Sequence, residues 1–568
     1  MSIKKMLSAV IAAAVTVSAL IVPPATASAA TELPTFTGPG AVTEPVGYTP
    51  GNMMRAIYDA DMSAGDGTSF FMDRMLARPG DDPSYGTNGG MMSRGKAFYM
   101  EYHDPSIIGF GGASAYIAPT ESGKGDNKAG PQAYSIAFST GRFVENVSKR
   151  VDYPSYWTSE YNGNGLKVTV RKFITDHNSA VTLLDIQNTS GSAKTFDVTA
   201  SSPLAKTANG NELSGQYNAP FNNTTIYPKL SGDEMTSGNG KLTRTLALAA
   251  GQTQNMKVVM GFITPEIPES AVEYDTFKSY DNNTAFKKHV QTYNAWWADN
   301  VPYIDVPDPY VKKMAYYRWW IVRFNTLDAN STNYKYPVYM EGVLGYNNSI
   351  PVSLPWQLEE GRYLRDPLYN YGTWLLAGRT AKGANFTDNP GNPQWRMDHS
   401  FQYISKAGWD SYKVFGGQTS FLNLVAQYGE NDVRTNKERR DSNGNNLLED
   451  QYDAWDGDTV ANFFTAHQDK VDATSAEWAN AQAVAQMYAY VGNNDKAAAM
   501  QTMADDFRHA LLNQLWDPAS KQFLNRTIDG SFNPWRDINN YYVFQQGMVP
   551  VDNPDYREAL KPWSDNHQ

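Results

Sequence analysis

The stretch "SAEWANAQAVAQMYAYVG", from Ser475 to Gly492, carries the clearest secondary-structure signal in this chain. Alanine, which has the highest helix propensity, recurs throughout it. Gly492 follows the last periodic residue, and glycine is the residue that most often ends a helix. The stretch therefore predicts a helix over 473–491, and the fold is interpreted outward from it.

Helical patterns continue on both sides of this segment, and long irregular connections separate them. Paired helices joined by long loops favour an (α/α)6 barrel, which requires twelve helices. Fewer than that are predicted before Gln568, so we expect the barrel to be incomplete at its C-terminus and the chain to be the first part of a longer protein. The other predicted helices lie near 309–327, 355–378, 411–428, 494–514 and 540–547.

The N-terminal half has a different pattern. "LKVTVRKFI" (166–174) and "AVTLLDIQN" (180–188) alternate apolar and polar residues, as half-buried strands do. Many such segments with little helical periodicity predict an antiparallel β-sandwich over 31–270. The overall fold class is therefore a multidomain β and α protein.

A linker helix is predicted between the two halves, in the region 271–305. Phe286, Val290, Tyr293 and Trp297 recur there at helical spacing, which indicates a helix with one apolar face. The incomplete barrel is then expected to occupy 306–568.

The first thirty residues have the features of a secretory signal peptide. Lys4 and Lys5 precede an apolar run from Met6 to Val22, and "ATASAA" supplies small residues for cleavage. No later stretch approaches the ~20 apolar residues of a membrane span. We therefore expect an exported protein of bacterial type without a membrane span in this chain.

Composition narrows the range of partners. The chain contains no cysteine, so disulfides cannot stabilise it outside the cell. Its net charge of −11, without a block of Lys or Arg, makes nucleic acid a poor partner. Aromatic residues make up 13% of the chain, and flat aromatic rings flanked by amides and carboxylates suit the apolar faces and hydroxyl rims of sugars.

An Asn-rich segment, "DSNGNNLLED", begins at Asp441 and predicts a calcium site. Side-chain oxygens at alternate positions can converge on one cation, as in an EF-hand loop. The match is partial, because Asn446 replaces the usual Gly and Tyr452 the usual Glu. The alternative is an ordinary Asx-rich turn. The predicted ligands of Ca²⁺ are Asp441, Asn443, Asn445, the carbonyl of Leu447 and Glu449, or a carboxylate from elsewhere in place of Glu449.

Three motifs together resemble a known family. "SLPWQLEEGRYLRDPLYNYG" (353–372), the Asn-rich segment, and "AWDGDT" (454–459) followed by a helix opening "VD" occur in the order found in six-hairpin glycosidases. The helical half is similar to glycoside hydrolase family 63 and to the mannosylglycerate-hydrolase-like catalytic domain. The β-L-arabinobiosidases of family 121 fit about as well. The resemblance also supports calcium in the Asn-rich segment.

The resemblance implies which residue is the catalytic acid. Glycoside hydrolysis needs two carboxyl groups, one to protonate the leaving group and one to activate water or attack the sugar. The family's acid matches Asp458, while Asp456 is the rival and a helix-capping role is the alternative for Asp458. Burial beside Trp455 would keep such an acid protonated.

The second carboxylate is less well defined. In family 63 it lies beyond the position of Gln568, whereas Glu341 matches a functional glutamate of the arabinobiosidase family. A carboxylate bonded to its own loop is the alternative for Glu341.

The sequence thus predicts a secreted glycoside hydrolase, inverting by resemblance to family 63. A β-L-arabinoside-releasing enzyme and a non-catalytic carbohydrate-binding surface protein are the alternatives. The aromatic residues expected to stack on the carbohydrate substrate are Trp455, Trp356 and Trp409.

Overall fold

The fold is described from a computed structural model of the whole chain. The residues whose placement it describes are 53–65, 67–80, 91–100, 103–112, 114–116, 132–218, 224–330, 335–342, 349, 353–380, 402–450, 468–527, 529–534, 538–550 and 552–564.

Helices flank the sheets at the N-terminal side and dominate the C-terminal half. They are α1 Met53–Ser63, α2 Phe71–Leu76, α3 Glu269–Ser279, α4 Asn282–Asn300, α5 Pro309–Phe324, α6 Leu354–Gly361, α7 Leu368–Thr380, α8 Ile404–Phe415, α9 Thr419–Arg440, α10 Val471–Tyr490, α11 Asn494–Gln514, α12 Tyr542–Gln545, α13 Pro554–Glu558 and α14 Lys561–Ser564.

Most strands precede residue 264. They are β1 Arg78–Pro79, β2 Phe98–Met100, β3 Ile108–Phe110, β4 Ser114–Tyr116, β5 Tyr134–Phe138, β6 Val144–Glu145, β7 Val151–Asp152, β8 Trp157–Gly163, β9 Leu166–Ile174, β10 Ser179–Asn188, β11 Lys194–Ser201, β12 Thr207–Asn209, β13 Glu212–Ser214, β14 Tyr217–Asn218, β15 Thr225–Gly232, β16 Thr236–Gly238, β17 Lys241–Leu248 and β18 Thr253–Ile263. The helical half adds β19 Thr326–Leu327, β20 Val338–Tyr339, β21 Glu449–Asp450, β22 Gln468–Asp469, β23 Trp516–Asp517, β24 Gln522–Phe523 and β25 Arg526–Thr527.

Two antiparallel sheets form the N-terminal half, as predicted. The larger sheet runs β1-β7-β8-β9-β10-β18-β15-β13-β12, and the smaller one runs β16-β17-β11-β5-β3. Inward-facing side chains of both sheets share one hydrophobic core, including Leu184, Val258 and Phe196. The alternation in "LKVTVRKFI" therefore marks a strand with one buried face.

Two features of this half differ from the sequence prediction. Strands alone were expected, yet α1 and α2 lie before the sheets, and α1 packs against α4. The single linker helix is in fact two helices, α3 and α4, and Asp281 caps α4 by accepting a hydrogen bond from the N–H of Thr284.

The linker joins the two halves through buried polar and aromatic contacts. The Asp73 carboxylate of α2 accepts hydrogen bonds from Ser155 Oγ and from Asn294 Nδ2 of α4, each at 2.8 Å. From α5, the Arg323 guanidinium lies 3.7 Å from the ring centroid of Tyr293 and 4.4 Å from that of Trp296. A desolvated cation over aromatic faces is a strong contact, so α5 is anchored on the linker.

The helical half confirms three predicted helices and corrects two. Helices α5, α10 and α11 lie close to their predicted ranges. The segment predicted over 355–378 is broken into α6 and α7, because Pro367 follows Asp366, whose side chain accepts the N–H of Leu368. The segment predicted over 411–428 is wrong: Gly416 and Gly417, with φ of +68° and +142°, separate α8 from α9. Within the described ranges, no helix combines the length and hydropathy of a membrane span.

Candidate active site

Helices α6, α8 and α10 pack side by side and run in the same direction. Ion pairs Glu359–Lys406 (3.8 Å) and Arg362–Asp410 (4.0 Å) fix α6 parallel to α8. Asn480 and Gln486 of α10 bond to successive turns of α8, which fixes the second pair. The N-termini of all three helices therefore lie on the same side. These three parallel helices are called the helix row below.

The long connections lead into these helices at their N-termini, and the short connections leave them at their C-termini. Loops positioned by a rigid scaffold are where binding and catalytic residues concentrate, so the N-terminal end of the helix row is the candidate active site. The short connections are 362–367, 416–418 and 491–493, and the long ones are 325–353, 381–403 and 441–470.

The predicted acid loop belongs to the third long connection. Trp455, Asp456 and Asp458 lie outside the described residues, so their roles stay predictions. The flanks of the loop are described: β21 pairs antiparallel with β22, with Glu449 opposite Asp469. Strand β25 pairs with the other edge of β22. The two strands that flank the acid loop, β21 and β22, are therefore held together just before α10 begins.

Glu341 lies in the first long connection, shortly after β20. Its Oε2 accepts a hydrogen bond from Ser353 Oγ at 3.3 Å, just before α6 begins. Its carbonyl accepts a hydrogen bond from Asn325 Nδ2 at 3.4 Å. The carboxylate is therefore held at the active-site end, and a catalytic role stays a prediction.

The two described tryptophans differ in surroundings. Trp356 is half-buried and lines a cavity of about 440 Å³ between α5 and α6, together with Gln357, Glu359 and Tyr363. Trp409 is only 7% exposed; its indole N–H donates to Gln486 Oε1 at 2.7 Å. The contacts of Trp409 are those of a core residue, and sugar stacking by either tryptophan stays a prediction.

The Asn-rich segment forms a compact turn after α9. Asn443 Oδ1 accepts the N–H of Asn445, and Asn445 Oδ1 accepts that of Leu447. Both carboxylate oxygens of Glu449 accept hydrogen bonds from Ser442 Oγ. These are the Asx-turn contacts of the alternative interpretation, made by the same oxygens that were predicted to bind calcium.

The donor set nevertheless fits a hard cation. The Lys437 ammonium contacts Asp441 Oδ2 at 3.1 Å and Asn446 Oδ1, so a positive charge already lies among these oxygens. Asn445 Nδ2 donates to Asp469 Oδ2 at 3.0 Å, and Asp469 Oδ1 is buried without a hydrogen-bond partner. Within the described residues, no cluster of three His, Cys, Asp or Glu has a metal-binding arrangement.

The sequence interpretation missed the polar side chains between the helices of the row. Glu477 of α10 is fully buried, and its Oε1 accepts a hydrogen bond from Asn436 Nδ2 of α9 at 2.7 Å. Burial raises the pKa of Glu477 to about 7. The Lys406 ammonium of α8 forms ion pairs with Asp410 at 2.9 Å and with Glu359 of α6 at 3.8 Å. The only signal for Glu477 was a charged residue inside an alanine-rich helix.

A family comparison covers the part of the chain that holds the candidate acid. Residues 396–568 match the mannosylglycerate hydrolase MGH1-like glycoside hydrolase domain. This range includes the Asn-rich turn, the loop with Asp456 and Asp458, and helices α8 to α14.

Solved structures similar to the chain include three carbohydrate-active proteins. A bacterial glucoamylase complexed with acarbose has 10% identity and a TM-score of 0.49, covering 84% of this chain and 79% of its own. A family GH92 inverting mannosidase from Bacteroides thetaiotaomicron has 10% identity and a TM-score of 0.43, with coverages of 80% and 64%. A sialidase has 16% identity and a TM-score of 0.40, with coverages of 73% and 44%, so the chain spans less than half of it.

The resemblance inferred from the motifs is thus confirmed for the C-terminal part of the chain: residues 396–568, which hold the second and third motifs but not the first, match the glycoside hydrolase domain of the mannosylglycerate hydrolase MGH1-like family.

Proposed function

We propose that this protein is an exported, inverting glycoside hydrolase that removes one sugar or a short oligosaccharide from the end of a glycan. The observation that carries the proposal is the family match over 396–568, because it contains the loop in which the acid is expected. The sugar and the linkage are left open.

In this mechanism, the Asp458 carboxyl protonates the glycosidic oxygen as the bond to the anomeric carbon breaks. A second carboxylate removes a proton from water, which attacks that carbon from the opposite face and inverts its configuration. Two carboxyl groups roughly 6.5–9.5 Å apart leave room for this water. Asp456 is the rival acid, and Glu341 is the described carboxylate at the same end of the helix row.

The stems of the acid loop support this assignment. The pairing of β21 with β22 closes the connection 451–467 at its base, and Thr474 of α10 accepts the N–H of Leu448 at 2.9 Å. A catalytic loop requires such a fixed base, because misplacing a reacting group by about 1 Å can cost on the order of 10²-fold in rate.

Calcium is proposed to stabilise the base of this loop. Its ligands would be Asp441, Asn443, Asn445, the Leu447 carbonyl and Glu449, all oxygen donors of the kind that Ca²⁺ prefers. Bound Ca²⁺ would neutralise the carboxylates of the turn and tie it to β21. Asp469, whose buried Oδ1 has no hydrogen-bond partner, lies one contact away through Asn445.

Export rests on the N-terminal features of the sequence. We propose that residues 1–30 are removed as a signal peptide and that the mature protein acts outside the cytoplasm, where it has no disulfide to rely on.

The test is to express the mature gene product, from residue 31 to its natural C-terminus, and to screen it against aryl glycosides and plant and microbial oligosaccharides. The proposal expects release of one sugar or short oligosaccharide, and NMR of the first product should show the inverted anomer. Retention of configuration would contradict the mechanism. Binding without turnover of any substrate would contradict the enzyme function and favour a carbohydrate-binding surface protein.

A further inference from the structure

Helix α8 begins without a cap of its own. Tyr403 holds the N-cap position, yet its side chain makes no capping bond. The first N–H groups of a helix have no partner within the helix, and a buried N–H group without a hydrogen bond destabilises the fold. Residues at this turn are buried, so the partner must come from another element.

Asn480 of α10 supplies that partner. Its Oδ1 accepts hydrogen bonds from the N–H groups of Ser405 (3.1 Å) and Lys406 (3.3 Å). Its Nδ2 donates to the carbonyl of Gln402 at 2.9 Å. The side chain is fully buried, and besides these contacts to the first turn of α8 it lies beside the buried carboxyl group of Glu477 on its own helix.

The first turn of α8 also contacts two other helices, α12 and α6. Tyr403 Oη accepts a hydrogen bond from Gln545 Nε2 of α12 at 3.2 Å. The Lys406 ammonium reaches Asp410 at 2.9 Å and Glu359 of α6 at 3.8 Å. A displacement of the turn would therefore move Lys406 and loosen contacts to α6 and α12 together.

The same turn ends the long connection 381–403, which enters at the candidate active-site end. Asn480 fixes the last residues of that connection through Gln402, in the same way that Thr474 fixes Leu448 at the neighbouring connection. Helix α10 thus holds residues of two long connections with two side chains, Thr474 in its first turn and Asn480 six residues later.

We infer that Asn480 is a positioning residue for glycoside hydrolysis, which fixes the first turn of α8 and through it Lys406 and the end of the connection 381–403. The inference rests on the proposed function. Asn480 itself does not contact the reacting atoms; it acts by holding the residues that border the site.

The test compares N480A, N480D and the control N513A in the mature gene product, on a substrate that the wild type turns over. Asn513 is exposed on α11, outside the row. N480A should lower kcat on the order of 10²-fold with a much smaller change in KM, because a misplaced group costs turnover more than binding. N480D keeps an oxygen acceptor for both N–H groups, but only its protonated form can donate to the Gln402 carbonyl, so relative to the wild type it should recover part of kcat at low pH and lose it as pH rises. N513A should match the wild type.

Two further readouts separate positioning from loss of folding. Hydrogen exchange of the Ser405 and Lys406 amides should accelerate in N480A, while the amides of α11 keep their protection. K406A, a change at a partly exposed side chain, should lower kcat, and the N480A/K406A pair should be less damaging than the product of the single effects.

Wild-type kcat in N480A, or equal losses in N480A and N480D with global loss of protection, would overturn the inference while leaving the proposed function intact. Absence of turnover in the wild type would overturn both.

Discussion

Glu145 in the sandwich and Glu477 in the helical half are both buried glutamates with opposite surroundings. The Glu145 carboxylate accepts hydrogen bonds from Arg150 Nε at 3.0 Å and from Ser159 Oγ, and it lies 3.2 Å from His103 Nε2. Burial alone would raise the pKa of Glu145, but the bonds from His103 and Arg150 outweigh it and lower the pKa to about 2.

Glu477 is compensated only by neutral amides. Asn436 Nδ2 donates a hydrogen bond to its Oε1, and the Asn480 amide also favours the ionised form. Burial therefore dominates and raises the pKa of Glu477 to about 7. The sandwich thus holds a buried carboxylate with a cationic partner, whereas the buried carboxyl group of the helical half has only amides. The comparison shows that a cationic partner, and not burial alone, decides the protonation state of a buried glutamate.

The largest expected effect is on the paired glutamate. E145Q would remove the carboxylate that pairs with Arg150 and that favours the charged form of Lys172, so two buried cations would lose a counter-charge. Breaking a buried pair in this way costs about 3–5 kcal/mol. Denaturant unfolding at pH 7 should show a loss of that order. The control is E160Q, on the half-exposed face of β8.

The pH dependence sharpens this prediction. Because the folded pKa of Glu145 lies below its ordinary 4.5, its contribution is present above pH 4.5 and is lost as pH falls toward 2. The gap in unfolding free energy between wild type and E145Q should narrow over that range. A constant gap, or an E145Q as stable as E160Q, would remove the structural role assigned to Glu145.

At Glu477 the pH dependence of the unfolding free energy is expected to have the opposite sign to that at Glu145. Its folded pKa of about 7 lies above the ordinary 4.5, so below pH 4.5 both states are protonated and nothing is lost. As pH rises from 4.5 through 7, the unfolded state ionises first and stability falls by about 1 kcal/mol per pH unit. From pH 5 to pH 8, the stability of E477Q relative to wild type should therefore improve by about 2 kcal/mol. Parallel curves for the two proteins would contradict the account; E438Q, an exposed change on α9, is the control.

The smallest expected effect concerns calcium at the Asn-rich turn. Ca²⁺ at about 10 times its Kd would add about 1.4 kcal/mol, which raises the melting temperature by a few degrees at most, and a chelator should reverse the shift. D441A should abolish the response. D517A is a matched control, because Asp517 also accepts backbone N–H groups in a turn of the same half. An unchanged melting temperature with Ca²⁺ and chelator would withdraw the calcium site.

The helices that the sequence predicted well are those with local signals. Helix α5 has Asp308 as its N-cap and Pro309 as its first residue, and α11 has Asn493 as its N-cap. In both helices the capping residue and the apolar periodicity indicate the same starting point. The wrong helix over 411–428 shows the limit of apolar periodicity: the pair Gly416 and Gly417 needed more weight, since both adopt positive φ.

The candidate site also combines features that a local sequence pattern predicts with features that no local pattern predicts. The position of the Asn-rich turn after a helix is encoded locally, and the structure places it there. The capping of α8 by Asn480 joins residues about 75 positions apart in sequence, so no local pattern can predict it. The unpaired state of Glu477 likewise depends on which helix face packs against α9.

The most direct test of the central claim is the turnover of D458N and D456N on two glycosides that differ only in leaving group. The account predicts that D458N loses turnover of an alkyl glycoside by a factor on the order of 10²–10⁴, yet retains most of its activity on a dinitrophenyl glycoside, whose leaving group needs no proton. D456N should remain active on both. The same loss on both glycosides for D458N, or the leaving-group pattern in D456N instead, would contradict the assignment of Asp458 as the acid.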